Sequence, residues 1–279
     1  MQVAKVHYND KHAPADFTKS LKETGFGVIT GHPIPIDLVA RVYQEWKTFF
    51  TSTSKYDYLF DSNTQDGYFP IGTENAKDYE AKDHKEFYHF YPWGRIPNTL
   101  TGATLELYNS LVSMTSVLLE WIELHTPKEI RSQFREPLKD MIDESKTNLF
   151  RIIHYPPFTG EEDNKSVRAA AHEDINLITL LVAGTGPGLE AKDKNGKWHK
   201  IETDPGTIII NIGDMLEEAS NGYYPSTTHR VVNPENHIAN DSRYSMPLFL
   251  HPRNEVVLSD KYTAGKYLEE RLQEIGLKN

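Results

Sequence analysis

Three residues with metal-binding side chains recur at a spacing that suits two neighbouring β-strands. His172 and Asp174 stand two residues apart in AAHEDINLITLL, residues 170–181. If this stretch is one strand, alternation places both side chains on the same face. His229 follows 57 residues after the first histidine (229 − 172), in the predicted strand STTHRVV. Two imidazoles and one carboxylate form the facial triad that suits non-haem Fe(II), and zinc accepts the same ligands. The alternative interpretation is an ordinary solvated strand end.

A cation and a hydroxyl follow the second histidine. Arg243 and Ser245 share one face of the strand predicted over RYSMPLFLHP, residues 243–252. A buried guanidinium is costly without an anion, and its planar donors bind carboxylates in bidentate fashion. The pair therefore predicts an anion site, with a carboxylate of the protein itself as the open alternative. Tyr155, in RIIHYPP, is a further hydrogen-bonding group near the end of a predicted strand.

The elements that must position these residues differ between the two halves of the chain. Apolar residues at helical spacing run from Leu38 to Phe50 and from Leu105 to Ile122, and both faces are interpreted as core packing. GFGVITGHPIP, residues 25–35, predicts a short strand closed by Gly and Pro. The aromatic block EFYHFYPWGRIP, residues 86–97, fits either a substrate pocket or the core.

The periodicity changes to two after about residue 146 and stays strand-like to about residue 258. The predicted strands lie within residues 147–156, 175–183, 188–202, 206–213, 226–232 and 243–252. The Asn195-Gly196 pair marks a hairpin between short alternating segments. Short strands joined by turns predict a barrel or sandwich, and residues 260–276 have a helical pattern again.

Composition limits the possible functions. The 279 residues are 38% hydrophobic and 25% charged, as in an ordinary globular protein. A formal net charge of −10 argues against a nucleic-acid partner. The absence of cysteine excludes disulfides, thiolate nucleophiles, Cys-ligated zinc and iron–sulfur clusters. No apolar run reaches the roughly 18 residues of a membrane span, so no membrane partner and a cytoplasmic location are expected.

In order and spacing, these motifs together resemble the isopenicillin N synthase-like branch of the non-haem iron(II)/2-oxoglutarate-dependent oxygenase superfamily. TGFGVITGHPIP and GYFPIGTENAKDYEAKDHKEFYHF (67–90) are similar to N-terminal motifs of that family. LFRIIHYPP, DPGTIIINIGDMLEEASNGYYPSTTHRVVNP and RYSMPLFLHP are similar to its core strands. The resemblance covers most of residues 20–255. It departs from the family at residues 175–177, where Ile-Asn-Leu replaces a common Tyr-Gly stretch.

The resemblance implies a mixed α and β fold with a double-stranded β-helix (jelly roll) core and flanking helices. A single oxygenase domain is expected over residues 1–279, with a mainly helical N-terminal part to about residue 145. The β-core that carries the site is expected over about residues 146–258, and the C-terminal helix over residues 259–279.

The resemblance also implies roles for the residues introduced above. Iron(II) would be held by His172, Asp174 and His229. The 2-oxoglutarate cosubstrate would be bound by Arg243 and Ser245, with Tyr155 as a further hydrogen-bonding partner.

The implied activity is oxidation of a small-molecule substrate with O2 through a ferryl intermediate, by hydroxylation, desaturation or cyclisation. Two alternatives stay open at this point. One is an iron-dependent oxidase or cyclase that does not use 2-oxoglutarate, and the other is a non-enzymatic jelly-roll binding protein. Neither the substrate nor the oligomeric state follows from the sequence.

Overall fold

The structure is a computed structural model that describes residues 1–73, 83–159, 167–202, 204–233 and 241–274. Residues 74–82, inside one of the family-like motifs, and residues 275–279, at the end of the expected C-terminal helix, lie outside the described residues. The strands are β1 (Lys5–His7), β2 (Phe26–Thr30), β3 (Gly67–Phe69), β4 (Glu86–Phe90), β5 (Leu149–Tyr155), β6 (Ala169–His172), β7 (Ile178–Val182), β8 (Leu189–Lys192), β9 (Trp198–Lys200), β10 (Ile208–Ile212), β11 (His229–Val231) and β12 (Arg243–Leu250). The helices are α1 (Ala13–Thr24), α2 (Ile36–Thr51), α3 (Ala103–His125), α4 (Lys128–Arg131), α5 (Leu138–Met141), α6 (Asp214–Ala219) and α7 (Ala264–Glu274), with a 3-10 helix at Thr53–Tyr58.

The strands form two sheets. The larger sheet has eight strands in the order β1-β2-β10-β7-β12-β5-β4-β3, and the smaller has four in the order β6-β11-β8-β9. Every pairing is antiparallel except β1 with β2. This two-sheet arrangement is the expected jelly-roll core with flanking helices. The mainly helical N-terminal part contributes β1 to β4, so it completes the larger sheet at both of its edges.

The long helices pack on one face of the larger sheet because their apolar residues recur at helical spacing. Leu38, Val42, Trp46 and Phe49 of α2 are all at most 2% exposed, which confirms the predicted core-facing side of this helix. Trp46 donates from its Nε1 to Thr104 Oγ1 at 3.1 Å, joining α2 to α3. The opposite face of the larger sheet packs against the smaller sheet through two apolar clusters, and the space between the sheets beside them is where the predicted site residues lie.

The predicted hairpin lies between β8 and β9, in the smaller sheet. Asp193 Oδ1 accepts hydrogen bonds from the backbone N–H groups of Asn195 and Lys197, at 2.9 and 3.0 Å. Gly196 has a φ of 81°, a left-handed conformation that glycine adopts without steric cost. The local turn chemistry read from the sequence therefore agrees with the tertiary pairing.

The stretch AAHEDINLITLL is not one strand, and this sequence prediction was wrong. Its first part belongs to β6 in the smaller sheet and its last part to β7 in the larger sheet. Residues 173–177 cross between the sheets, and their backbone is bonded to other elements. Asp174 O accepts from Asp214 N at 2.7 Å, and Leu177 N donates to Leu250 O at 2.9 Å. This crossing, and not strand alternation, brings Asp174 to His172.

None of the helices in the described part of the chain combines the length and the apolar character that a membrane span requires.

Candidate metal centre and anion site

Three side chains predicted to bind metal converge at one end of the space between the sheets. His172 and His229 are partners across β6 and β11, and their ring centroids are 4.4 Å apart. Asp174 Oδ1 lies 3.8 Å from the Nε2 atom of each imidazole. The three potential ligand atoms all lie within 4.8 Å of one another, a separation that one ion can span. Among the residues that the structure describes, no other group of three His, Asp or Glu side chains meets this geometry.

Backbone carbonyl groups fix the tautomer of both histidines. His172 Nδ1 lies 2.8 Å from Ala170 O, and His229 Nδ1 lies 3.1 Å from Thr227 O. A carbonyl oxygen only accepts, so each Nδ1 carries the proton and donates it. The lone pair of each Nε2 then faces Asp174. Metal-binding histidines are commonly oriented by this kind of outer hydrogen bond.

Asp174 is oriented through its other oxygen. Thr179 Oγ1 donates to Asp174 Oδ2 at 2.6 Å, and Asn211 Nδ2 donates to the same oxygen at 2.8 Å. Thr179 and Asn211 are register partners on β7 and β10, so both side chains leave the larger sheet on the same face. Burial by itself raises the pKa of Asp174, but the two imidazoles and these hydrogen bonds outweigh it and hold the pKa below its usual value. Oδ1 is left to face the histidines as an ionised acceptor.

The two histidines are suited to bind a cation in their neutral form. Burial, together with the neighbouring His229, lowers the pKa of His172 to about 4. At neutral pH the group therefore offers the Asp174 carboxylate and the unprotonated Nε2 of His172, beside the Nε2 of His229, whose Nδ1 donates to Thr227 O. Such a set binds a divalent transition metal and leaves further coordination positions open.

Asn176 belongs to the support of this centre, and the sequence analysis left it unexplained. Its side chain is fully buried, and Nδ2 donates to Thr179 Oγ1 and to Ile178 O, both at 2.9 Å. Gly213 allows this packing, because a Cβ there would lie 2.2 Å from Asn176 O. Thr179 and Asn211 were also missed, although each is a single polar residue in an otherwise apolar strand. That pattern was the available sign of an inward-facing hydrogen bond.

The predicted anion site is built around Arg243, which is 1% exposed. Its Nε donates to Gly186 O at 2.9 Å, but the buried Nη1 and Nη2 atoms have no hydrogen-bond partner. The alternative of a protein carboxylate as its partner is therefore not supported among the described residues. Gly184 leaves room beside the guanidinium, since a Cβ there would lie 3.1 Å from Nη2. A buried guanidinium with two free donors fits a carboxylate ligand.

The other two residues of the predicted anion site lie on the same sheet face. Tyr155 is the register partner of Arg243, and the Arg243 Cζ atom lies 5.1 Å from the centroid of its ring. Ser245 is 4% exposed and pairs with Ile153, two residues before Tyr155 on β5.

One apolar cluster connects this end of the cavity to the metal centre. Tyr155 packs in it with Ala169 and Val231, which are themselves register partners on β6 and β11. Ala169 precedes His172 by three residues on its strand, and Val231 follows His229 by two. The anion site and the three candidate metal ligands are therefore linked through one apolar cluster.

The aromatic block at residues 86–97 divides between the two faces of β4. Phe87 packs with Ile153 and Tyr155 on the cavity side, and its ring stacks on Phe69 with centroids 4.4 Å apart. Tyr88 and Phe90 point the other way into the main core beneath α2. Tyr88 and Phe90 therefore belong to the main core, while Phe87, 1% exposed, is part of the smaller apolar cluster around Tyr155.

Two neighbouring polar residues, Glu173 and His154, lie outside the centre. Glu173 is exposed, and its Oε1 accepts from Thr228 Oγ1 at 2.6 Å. His154 bonds Glu86 and Ser242 on the far side of the larger sheet, which is a structural role.

Comparison with known proteins agrees with this geometry. Residues 146–252 match the 2OG-Fe(II) oxygenase superfamily, and residues 6–109 match the N-terminal region of the non-haem dioxygenases in morphine synthesis. The first match spans the three candidate metal ligands and the candidate anion site. The second covers the N-terminal part that supplies β1 to β4.

Individual relatives span nearly the whole chain. Flavonol synthase 1 from Crocosmia x crocosmiiflora is 31% identical over 253 residues, covering 85% of this chain and 71% of its own. A crystallised oxygenase from Shewanella oneidensis is 50% identical, with a TM-score of 0.90 over 99% of this chain and 100% of its own. Neurospora crassa T7H, crystallised with alpha-KG, shares the fold at 23% identity and a TM-score of 0.79, over 96% of this chain and 95% of its own. The chain thus belongs to the non-haem 2OG-Fe(II) oxygenase superfamily and is a dioxygenase that depends on Fe(II), 2-oxoglutarate and O2.

Proposed function

We propose that His172, Asp174 and His229 hold Fe(II), and that Arg243, Ser245 and Tyr155 bind the distal carboxylate of 2-oxoglutarate. The observation that carries this proposal is the pairing of two incomplete sites through one apolar cluster. One offers three pre-oriented donor atoms with no cationic side chain among them, and the other a buried guanidinium whose Nη1 and Nη2 donors lack an acceptor. The donor set fits Fe(II), and the free guanidinium fits a carboxylate.

Bound iron supplies the oxidising chemistry, in which O2 and 2-oxoglutarate become succinate, CO2 and one oxygen equivalent for the substrate. The protein residues would bind and orient the metal and the cosubstrate, and they would exclude water from the site. The backbone carbonyls keep each Nε2 lone pair aimed at the ion, and Thr179 and Asn211 stop the Asp174 carboxylate from rotating. Arg243 would hold the distal carboxylate of the cosubstrate, which leaves the 2-oxo acid end free to bind the metal.

The substrate is proposed to be a small molecule, because apolar and aromatic side chains from both sheets pack beside the two sites. Phe87 and Phe69 provide flat aromatic walls, and Arg151 Cζ lies 4.7 Å from the centroid of Phe87. The flavonol synthase among the relatives is named for a small aromatic product. Hydroxylation, desaturation and cyclisation remain equally compatible with these walls.

The test is oxygen consumption by the purified protein with Fe(II) and 2-oxoglutarate, together with quantification of succinate across a panel of small molecules. Arg243→Ala is expected to weaken 2-oxoglutarate binding far more than Fe(II) binding, and His229→Ala is expected to do the reverse. Equal losses of both ligands in both variants, with the fold intact, would contradict the assignment. Binding is measured anaerobically by calorimetry, so the result does not depend on knowing the substrate.

A further inference from the structure

A second buried arginine lies at the Arg243 end of the cavity. Arg168 is 4% exposed and stands immediately before β6. One guanidinium nitrogen, Nη2, donates to Asp241 O at 2.9 Å, while the buried Nε has no hydrogen-bond partner. Among the residues that the structure describes, no carboxylate forms an ion pair with it. A buried guanidinium bonded only to a carbonyl is poorly compensated.

Two contacts place Arg168 beside the proposed cosubstrate site. Asp241, whose carbonyl accepts the hydrogen bond from Arg168, lies two residues before Arg243, the first residue of β12. Ala169, the next residue in the chain, packs against Tyr155 in the apolar cluster of the cavity. Burial lowers the pKa of Arg168, and the positive charge of Arg243 lowers it further. Within the described part of the chain, the hydrogen bonds of both guanidinium groups go to backbone carbonyls and not to a carboxylate.

We propose that Arg168 is a second cation for the distal carboxylate of 2-oxoglutarate, which is then bound between two guanidinium groups. A carboxylate accepts hydrogen bonds at both oxygens, so it can take the paired Nη donors of Arg243 and the free Nε of Arg168 together. The inference rests on the proposed function, since it extends the site assigned to Arg243. It makes the protein selective for 2-oxo diacids over 2-oxo monoacids.

The experiment compares 2-oxoglutarate with 2-oxobutyrate, which keeps the 2-oxo acid end and lacks the distal carboxylate. Affinities are measured by anaerobic calorimetry on Fe(II)-loaded protein without substrate. Arg168→Gln is expected to weaken 2-oxoglutarate binding by about tenfold or more, the scale of one lost charge-assisted hydrogen bond. Its affinity for 2-oxobutyrate is expected to stay within about twofold of that of the wild type, since this ligand does not reach the guanidinium groups.

The control variants separate this role from a structural one. Arg253→Gln removes a guanidinium already paired with Glu136 at 2.7 Å, and should leave both affinities unchanged. Arg168→Lys keeps the charge and should retain most of the preference for the diacid, which also covers the case in which Arg168→Gln does not fold. In the ligand-free protein, Arg168→Gln is expected to raise the melting temperature, because it removes one of two facing charges. If the role of Arg168 were structural, the melting temperature of the ligand-free variant would fall instead.

The contrary outcomes are distinct. Unchanged 2-oxoglutarate affinity in Arg168→Gln overturns the inference, as does an equal loss for both ligands. A normal 2-oxoglutarate affinity with a raised KM for a carboxylate substrate also overturns it, and assigns Arg168 to that substrate. If the wild-type protein with Fe(II) binds no 2-oxoglutarate, the proposed function itself fails and the inference with it.

Discussion

Replacing Thr179 by valine should weaken iron binding while leaving the fold intact. Thr179 Oγ1 donates to Asp174 Oδ2 at 2.6 Å and accepts from Asn176 Nδ2 at 2.9 Å. Valine has nearly the same shape but makes neither hydrogen bond. Asp174 then keeps only the donor from Asn211, and its carboxylate gains freedom to rotate away from the histidines.

The magnitude follows from the kind of bond that is lost. A hydrogen bond to a buried carboxylate contributes about 1.5–3 kcal/mol. Expressed as binding, that is about 10- to 100-fold in Fe(II) affinity, the range typical of residues that orient metal ligands. Loss of the donor also raises the pKa of Asp174, which must be ionised to bind. The acid side of the pH profile for iron binding should therefore move to higher pH.

The assay is an anaerobic competition titration of Fe(II) against a coloured chelator at several pH values. Thr115→Val is the matched control, because Thr115 is fully buried in α3 and donates to Leu111 O at 2.8 Å, remote from the metal centre. Thr115→Val should lower the free energy of unfolding without changing the affinity for Fe(II). Equal Fe(II) affinity and equal pH profiles in the two variants would refute the role given to Thr179.

Two further substitutions test the packing beside the candidate metal centre and on the far side of the larger sheet. Gly213→Ala would place a Cβ 2.2 Å from Asn176 O, so the backbone must shift. The melting temperature should fall by the equivalent of about 1–3 kcal/mol. An unchanged melting temperature would contradict this close approach. Glu86, 2% exposed, binds Lys55 at 2.8 Å and His154 at 2.7 Å, so Glu86→Gln should lower the free energy of unfolding in urea by about 3–5 kcal/mol. Burial raises the pKa of Glu86, but hydrogen bonds with His154, Lys55 and Tyr68 outweigh it and lower the pKa from its ordinary value of 4.5. The ionised carboxylate therefore stabilises the folded wild type above about pH 4.5, and this stability is lost in more acidic solution. Glu86→Gln should lose less stability than the wild type as the pH falls through that range. Parallel profiles of unfolding free energy against pH for the two proteins would show that Glu86 does not set the acid dependence.

Much of the fold could be predicted from the residues because periodicity reports burial. The period-two pattern after residue 146 located β5, β7, β10 and β12, and the helical patterns located α2 and α3. The prediction failed where the chain changes sheets. Residues 170–181 alternate well enough to suggest one strand, and only pairing with two different sheets divides them.

The sequence by itself determined the chemical types: two histidines and a carboxylate for a metal, and an arginine with a hydroxyl for an anion. Only the tertiary structure decided what holds them. Asn211 reaches Asp174 across 37 residues of sequence, and Arg168 reaches Asp241 across 73. Local patterns carry no information about such contacts, because side-chain hydrogen bonds depend on which strands become neighbours. The same reason explains Arg243: its type predicts an anion, but only the packed sheet shows that no described carboxylate satisfies it.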